Sequence, residues 1–324
     1  MATVSYREAV GLAIAQEMQR DPRVFLIGED VAAPGGVFKT TVGLLERFGP
    51  ERVRDTPISE QAIVGAVMGA AMTGLRPIGE IMYADFMAVC WDQIANQVAK
   101  TRYMSGGQFE LPLVIRTAGG GGLGFAAQHS QSPENWAMAV PGLKVVCPST
   151  PEDVVGLLAA AVREDDPVLF FEHKALYSQT GEVPEHEHVD QLGVAKLRRQ
   201  GSDVTIVSIS AMVHRALSAA ETLACRQISA EVIDLRSLVP LDFSSIATSV
   251  QKTGKVCVVE ENPRLCGWGA EVASLIAEEL FYDLDAPVVR ITSPHVPLPA
   301  ARSLESEAIP SPERIVEAVT MMAT

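Results

Sequence analysis

The stretch Asp55-Thr56-Pro57-Ile58-Ser59-Glu60-Gln61-Ala62-Ile63-Val64-Gly65-Ala66-Val67-Met68-Gly69-Ala70-Ala71 reads as a loop running into a helix. Ser59 is of the type that caps helix N-termini, which puts Glu60 in the first turn. The residues after it are apolar nearly all round, the pattern of a helix buried on most faces. Gly65 and Gly69 stand four apart and leave one side as bare backbone, open to close approach by another element. A carboxylate at the mouth of such a helix lies at an interface, out of bulk water. The residues alone leave two roles level for Glu60: complement to the helix dipole, or a tuned acid–base group.

Outward from this helix, short β-branched runs alternate with longer amphipathic segments, which predicts a parallel α/β architecture. Strands are expected at Val24–Gly28, Pro77–Ile81, Leu113–Thr117, Lys144–Cys147 and Val168–Glu172. Helices are expected at Tyr6–Arg20, Glu60–Gly74, Phe86–Tyr103 and Pro151–Glu164, the last starting at Ser149-Thr150-Pro151-Glu152 with proline in its first turn. The rhythm breaks at Ser178–Gln191, a polar stretch with Gly181 and Pro184. It resumes with strands at Val204–Ile209, Ala230–Asp234, Val256–Glu260 and Val288–Ile291, and helices at Met212–Ala224, Phe243–Val250, Ala270–Leu280 and Pro312–Met322. The organisation expected is a first α/β domain over 1–178, a linker over 179–200 and a smaller α/β domain over 201–324.

The chain has 324 residues, 48% of them hydrophobic and 20% charged, enough for two sizeable cores. A net charge of −14 argues against nucleic-acid binding, which needs clustered lysine and arginine. Cys90, Cys147, Cys225, Cys257 and Cys266 form no C-x-x-C pair and read as thiols of a reducing compartment. The N-terminus shows no apolar signal core. The longest apolar run, Ala62 to Leu75, is too short and too glycine-rich for a membrane span. A cytoplasmic protein is expected.

Gly119-Gly120-Gly121-Gly122-Leu123-Gly124 follows a strand and formally matches a dinucleotide-binding fingerprint. No helix pattern starts directly after it, and no ribose-binding acid ends the next strand, so a tight or mobile loop bordering a site is the better reading. His129 lies beyond that loop, where an imidazole is suited to proton transfer near neutral pH. His186 and His188 lack a third metal ligand nearby.

Taken in order, Asp55-Thr56-Pro57-Ile58-Ser59-Glu60, Asp85-Phe86 with Asp92-Gln93-Ile94-Ala95-Asn96-Gln97, Tyr103-Met104-Ser105-Gly106-Gly107 and Gln128-His129-Ser130-Gln131 resemble one family over essentially the whole chain. It is the β subunit of the thiamine-diphosphate-dependent decarboxylating component of pyruvate, acetoin and branched-chain 2-oxoacid dehydrogenase complexes. The resemblance implies a pyrimidine-binding domain with a parallel sheet, followed by a smaller transketolase C-terminal-type α/β domain. It implies that Glu60 hydrogen-bonds the cofactor's pyrimidine ring and favours the imino tautomer that deprotonates the thiazolium carbon. It implies that Met82 and Phe86 line the pyrimidine pocket, and that His129 faces the substrate and an incoming lipoyl group. Glu29 and Asp92 match acids that, with Glu60, line a tunnel between paired sites in some relatives. In some relatives a loop like Ala161–Pro167 binds potassium, which makes backbone oxygens of Leu113, Ala161, Glu164 and Asp166 candidate ligands.

The family's diphosphate is held through Mg²⁺ by a Gly-Asp-Gly motif, and this sequence has none. The resemblance therefore implies a half-site, with an α subunit supplying the metal in an α2β2 heterotetramer and a lipoyl-bearing acyltransferase as downstream partner. Two alternatives stay open at this level: half of a split transketolase-like enzyme, or a non-catalytic assembly or regulatory subunit. Pro34 stands where some pyruvate enzymes carry tyrosine. Ser293-Pro294-His295-Val296-Pro297-Leu298-Pro299 leans toward pyruvate and acetoin members.

Overall fold

The computed structural model describes residues 1–323; Thr324, the end of the expected second domain, lies outside the described residues. Two units emerge, one of Met1–Gly119 with Trp136–Leu192, the other of Gly120–Asn135 with Gly193–Thr324. The expected contiguous blocks thus exchange a segment: the glycine-rich loop and His129 group with the second unit. Separation along the chain carried no sign of this, because the partners that hold the loop lie far downstream.

In chain order the first unit's elements begin with β1 (Ala2–Ser5), α1 (Tyr6–Arg20), β2 (Val24–Gly28), α2 (Leu44–Phe48), β3 (Val53–Asp55), α3 (Glu60–Met72) and β4 (Arg76–Ile81). They continue with α4 (Ala99–Met104), β5 (Val114–Gly119), α5 (Glu134–Met138), β6 (Lys144–Val146), α6 (Pro151–Arg163), β7 (Val168–His173) and β8 (Thr180–Val183). β6, β7, β5, β4, β2 and β3 lie side by side in that order, every neighbouring pair parallel. Their valine- and isoleucine-rich runs are buried, as parallel strands covered on both faces require. Two helices start on reciprocal capping boxes, Ser5 with Glu8 for α1 and Thr150 with Asp153 for α6.

Three sequence expectations are revised. The helix expected at Phe86–Tyr103 is a 3₁₀ turn at Ala84–Ala88, a π-helical turn at Gln93–Val98 and then α4. The tighter and wider turns move side chains by only a fraction of a residue, so apolar spacing reads them as one helix. The stretch expected as linker holds β8, which pairs antiparallel with β1 (Ala2 opposite Val183), and also Lys196–Arg199 as a further strand. Such pairing between distant short segments leaves no local period. Finally, α3 buries only one side, Ile63, Val64, Val67 and Ala71, while Ala62, Gly65, Ala66 and Gly69 are exposed in the single chain. The hydroxyl of Ser59 makes no capping hydrogen bond; its carbonyl accepts from Ile63 N at 3.0 Å.

The second unit comprises β9 (Lys196–Arg199), β10 (Val204–Ser208), α7 (Ser210–Ala224), β11 (Ala230–Asp234), β12 (Ser237–Val239), α8 (Phe243–Thr253), β13 (Val256–Pro263), α9 (Trp268–Glu279), β14 (Val289–Ser293), α10 (Arg302–Ala308) and α11 (Pro312–Ala323). Its sheet runs β14-β13-β10-β11-β9, parallel except for β9 at one edge. Ile206, Val232, Val258 and Trp268 lie in its core. Among the described residues no helix is long and apolar enough to cross a membrane.

Candidate active site

Because β2, β3 and β4 are parallel, their carboxyl ends share one edge of the first unit's sheet, where open α/β sheets receive ligands. Glu29 directly follows β2, Asp55 ends β3, and Met82 directly follows β4. The β2 and β3 ends are tied together. Thr56 N donates to Gly28 O at 3.0 Å, and the Asp55 carboxylate accepts from Ala32 N at 2.7 Å and Ala33 N at 3.4 Å. These bonds fold the loop after Glu29 back over the edge.

Glu60, the first residue of α3, and Glu29 are each 7% exposed, so both carboxyls sit out of bulk solvent. Glu29 Oε1 has no hydrogen-bond partner among the described residues. Burial, then the charges of Glu60 and Asp30, push the Glu29 carboxyl above its ordinary range. Burial followed by the charge of Glu60 pushes the Cys90 thiol up to about 12. Glu29, Glu60 and Cys90 therefore share one electrostatic neighbourhood, and Cys90 is an inert thiol within it.

The apolar side of the edge is aromatic. Met82 and Phe86 are half-buried, and Phe86 packs edge-on against Tyr83 at 5.9 Å. Tyr83 in turn meets Phe38 at 5.7 Å, and the ammonium of buried Lys174 lies 5.3 Å from its ring centroid. Lys174 directly follows β7. Behind the edge, Arg116 on β5 joins Glu80 on β4 and Glu172 on β7. Burial pushes the Glu80 carboxyl up; Arg116 opposes this, and Glu172 and Glu29 add to it. The charge of Glu60 thus raises Glu29, and that of Glu29 helps to raise Glu80.

Asp92, expected beside these acids, is exposed and accepts from Asn96 Nδ2 at 2.7 Å one turn along. At the carbonyl segment, Leu113 O accepts from Val168 N and Ala161 O from Glu164 N. Glu164 O and Val162 O accept from Arg76 Nη1, whose other nitrogen reaches Asp165 at 2.7 Å. Asp166 is committed through its side chain to Arg102 at 2.6 Å. Among the described residues no group of three or more metal-ligating side chains occurs.

In the second unit His129 is half-buried on the loop Gly120–Asn135, next to Ser130, whose buried hydroxyl has no hydrogen-bond partner among the described residues. The glycines at the start of the loop donate their amides to Glu261 and Glu305. Carboxylates of the chain itself thus occupy the donors that a dinucleotide phosphate would need, which removes the fingerprint reading. Sequence reasoning missed Lys174, Glu80, Arg116, Glu261 and Glu305. The only signal available for the first three was charge inside runs that otherwise read as buried strand or its end.

The chain matches the family models for the transketolase pyrimidine-binding domain over residues 2–180 and the transketolase C-terminal domain over residues 193–315. It is 47% identical to a 2-oxoisovalerate dehydrogenase subunit beta of Bacillus subtilis, covering 100% of this chain and 99% of the relative. It is also 47% identical to an acetoin:2,6-dichlorophenolindophenol oxidoreductase subunit beta of the same organism, over 97% of this chain and 95% of the relative. A pyruvate dehydrogenase E1 component subunit beta of Rickettsia felis matches at 47%, over 98% and 97%. Among solved structures, a split-gene transketolase described as an inactive β4 tetramer superposes with a TM-score of 0.81 at 25% identity, over 99% and 98% of the two chains. Equal identity to three relatives named for different substrates means that overall similarity does not select among them.

Proposed function

Because the chain belongs to the family of transketolase-type β subunits of pyruvate, branched-chain 2-oxoacid and acetoin dehydrogenases, we propose that it forms the pyrimidine-side half of a thiamine-diphosphate site completed by an α subunit. The reaction is oxidative decarboxylation of a 2-oxoacid, pyruvate-like by preference, or cleavage of acetoin, with acyl transfer to a lipoyl group on a partner acyltransferase. The observation that carries this reading is Glu60, a buried carboxyl at a helix start, coupled to Glu29 at the carboxyl edge of the sheet.

The residues at this edge suit a flat heteroaromatic ring with one basic nitrogen. Glu60 would hydrogen-bond that nitrogen, with Met82 and Phe86 against its faces. When bound, thiamine diphosphate supplies the carbon nucleophile and electron sink for cleavage beside a carbonyl. Glu60 holds a hydrogen bond at the ring nitrogen, and Glu29, its carboxyl raised by burial and by the charges of Glu60 and Asp30, belongs to the same electrostatic neighbourhood. Met82 and Phe86 orient the ring and exclude water. His129 supplies a proton donor for the acyl-transfer step.

We assign Mg²⁺ to the α subunit and a potassium ion to the backbone oxygens of Leu113, Ala161, Glu164 and Asp166, with Arg76 also serving the carbonyls of Val162 and Glu164. We place the protein in the cytoplasm, where the free thiols Cys225 and Cys266 stay reduced. Assembly with an α subunit and assay on pyruvate, acetoin and 3-methyl-2-oxobutanoate tests the reading. Lipoyl-linked turnover on at least one is expected. Turnover on none, or ketol transfer without lipoyl protein, would overturn it.

A further inference from the structure

The glycine-rich loop is held by a set of contacts that the cofactor site does not use. Gly121 N donates to Glu261 Oε1 at 2.6 Å, while Gly122 N and Gly124 N donate to the two oxygens of Glu305 at 2.9 and 2.8 Å. Glu305 is 1% exposed and Glu261 9%, so the accepting carboxyls are withdrawn from solvent. Gly124 has a φ of +74°, which favours glycine, and a Cβ on Gly121 would press the terminal methyls of Leu298 and Ile309 at 2.7 and 2.8 Å and make them shift. The far end of the loop is held from the same strand end. Ser132 Oγ donates to Glu261 Oε1 at 3.2 Å, and Asn262 Nδ2 to Ser132 O at 2.5 Å and Asn135 Oδ1 at 3.1 Å. Gly120 N closes the loop on Gln131 O at 2.9 Å.

Between those two anchored ends lies His129. A glycine loop with converging amides is a device by which proteins grip an external anion; here Glu305 on α10 receives two of the amides and Glu261 on β13 the third. Arg215 on α7 feels both acids: burial lowers its basicity, and Glu261, Glu313 and Glu305 counter this.

We propose that Glu305 and Glu261 form a carboxylate latch on the glycine loop, and that this latch is the positioning device for His129. The inference rests on the reading of His129 as the residue facing acyl transfer. Each of the two oxygens of Glu305 accepts from a different amide, so the latch needs a side chain with two acceptors. Glutamine has the same shape, yet sets an NH2 group against one of those amides.

The test uses the chain assembled with its α subunit and compares Glu305→Gln, Glu305→Asp, Glu261→Gln and His129→Ala. Amide hydrogen exchange over residues 119–132 reads the latch. The ratio of lipoyl-linked acyl transfer to 2,6-dichlorophenolindophenol-linked turnover reads the presentation of His129. Glu305→Gln is expected to speed exchange of the glycine amides tenfold or more and to lower the ratio about tenfold, approaching His129→Ala. Glu305→Asp, which keeps two acceptors, is expected to lose less of both, and Glu261→Gln to affect the Gly121 end. Unchanged exchange in both glutamine variants would overturn the latch. Faster exchange with an unchanged ratio, where His129→Ala lowers it, would overturn the positioning role. An unchanged ratio in His129→Ala would overturn the reading of His129 and the positioning role with it, and amide exchange would still decide whether the latch exists.

Discussion

The guanidinium of Arg116 and the carboxylate of Glu172 meet in two parallel contacts of 2.7 Å, Nε to Oε1 and Nη2 to Oε2, with both residues 1% exposed. Arg116 also takes Glu80, and Tyr177 donates its hydroxyl to Glu172 at 2.7 Å. Burial works against the charge of Arg116, but Glu172 and Glu80 outweigh it and hold the guanidinium more basic than usual. Arg116→Met would strand two buried acids, so a loss of about 3–5 kcal/mol is expected. Arg116→Lys should recover little of it, since an ammonium cannot reproduce the paired contacts. Denaturant unfolding measures both, and a loss under about 1 kcal/mol would contradict the account.

A second prediction concerns pH. The Glu29 carboxyl has a folded-state pKa raised above the ordinary 4.5 by burial and by Glu60 and Asp30. The folded state therefore holds this proton more tightly than the unfolded chain does. Its contribution to stability is full below pH 4.5 and lost as pH rises through the folded pKa. Glu29→Gln removes that loss, so the variant should melt higher than the parent at pH 7, and the gain should vanish below pH 4.5. Melting curves across this range decide it; an equal or lower Tm at pH 7 would show that the Glu29 carboxyl costs the fold no stability at that pH.

How far the sequence carries can be followed through single residues. α1 and β2 start and stop where apolar period and turn residues predict, because those signals are local. Glu60 was found by capping logic, although the Ser59 hydroxyl makes no cap. What escaped was non-local. β8 finds β1 across the whole first unit. Glu305 meets Gly122 and Gly124 only after α10 is folded against the loop. The relation of Glu29 to Glu60 depends on two parallel strands ending at one edge, which no spacing in the sequence expresses.

Lys174 supplies the third prediction. Its ammonium lies over Tyr83, which packs on Phe86, the wall proposed for the pyrimidine. A desolvated cation–π contact is worth roughly 1–2 kcal/mol, so Lys174→Met should raise the KM for thiamine diphosphate by about 5- to 30-fold while kcat at saturation falls little. Lys174→Arg should restore most of it. In a Tyr83→Leu background the same change at Lys174 should have almost no effect. Additive losses in that double-mutant cycle would mean that Lys174 acts by another route.

Gly65 separates folding from assembly. It lies on the exposed side of α3, and a Cβ built there meets nothing within 4 Å, so the single chain has no steric need for glycine at this position. Glycine inside a helix is less favourable than alanine by about 0.5–1 kcal/mol, so Gly65→Ala should stabilise the isolated chain by about that amount. If the bare face receives another helix, as the exposed row of Ala62, Gly65, Ala66 and Gly69 suggests, a large side chain is tolerated by the fold and rejected by the partner. Gly65→Leu should therefore keep the melting transition of the isolated chain and fail to associate with an α subunit, as sedimentation of the mixed subunits would reveal. Normal assembly by Gly65→Leu would show that this face stays in solvent and that its small residues have another cause.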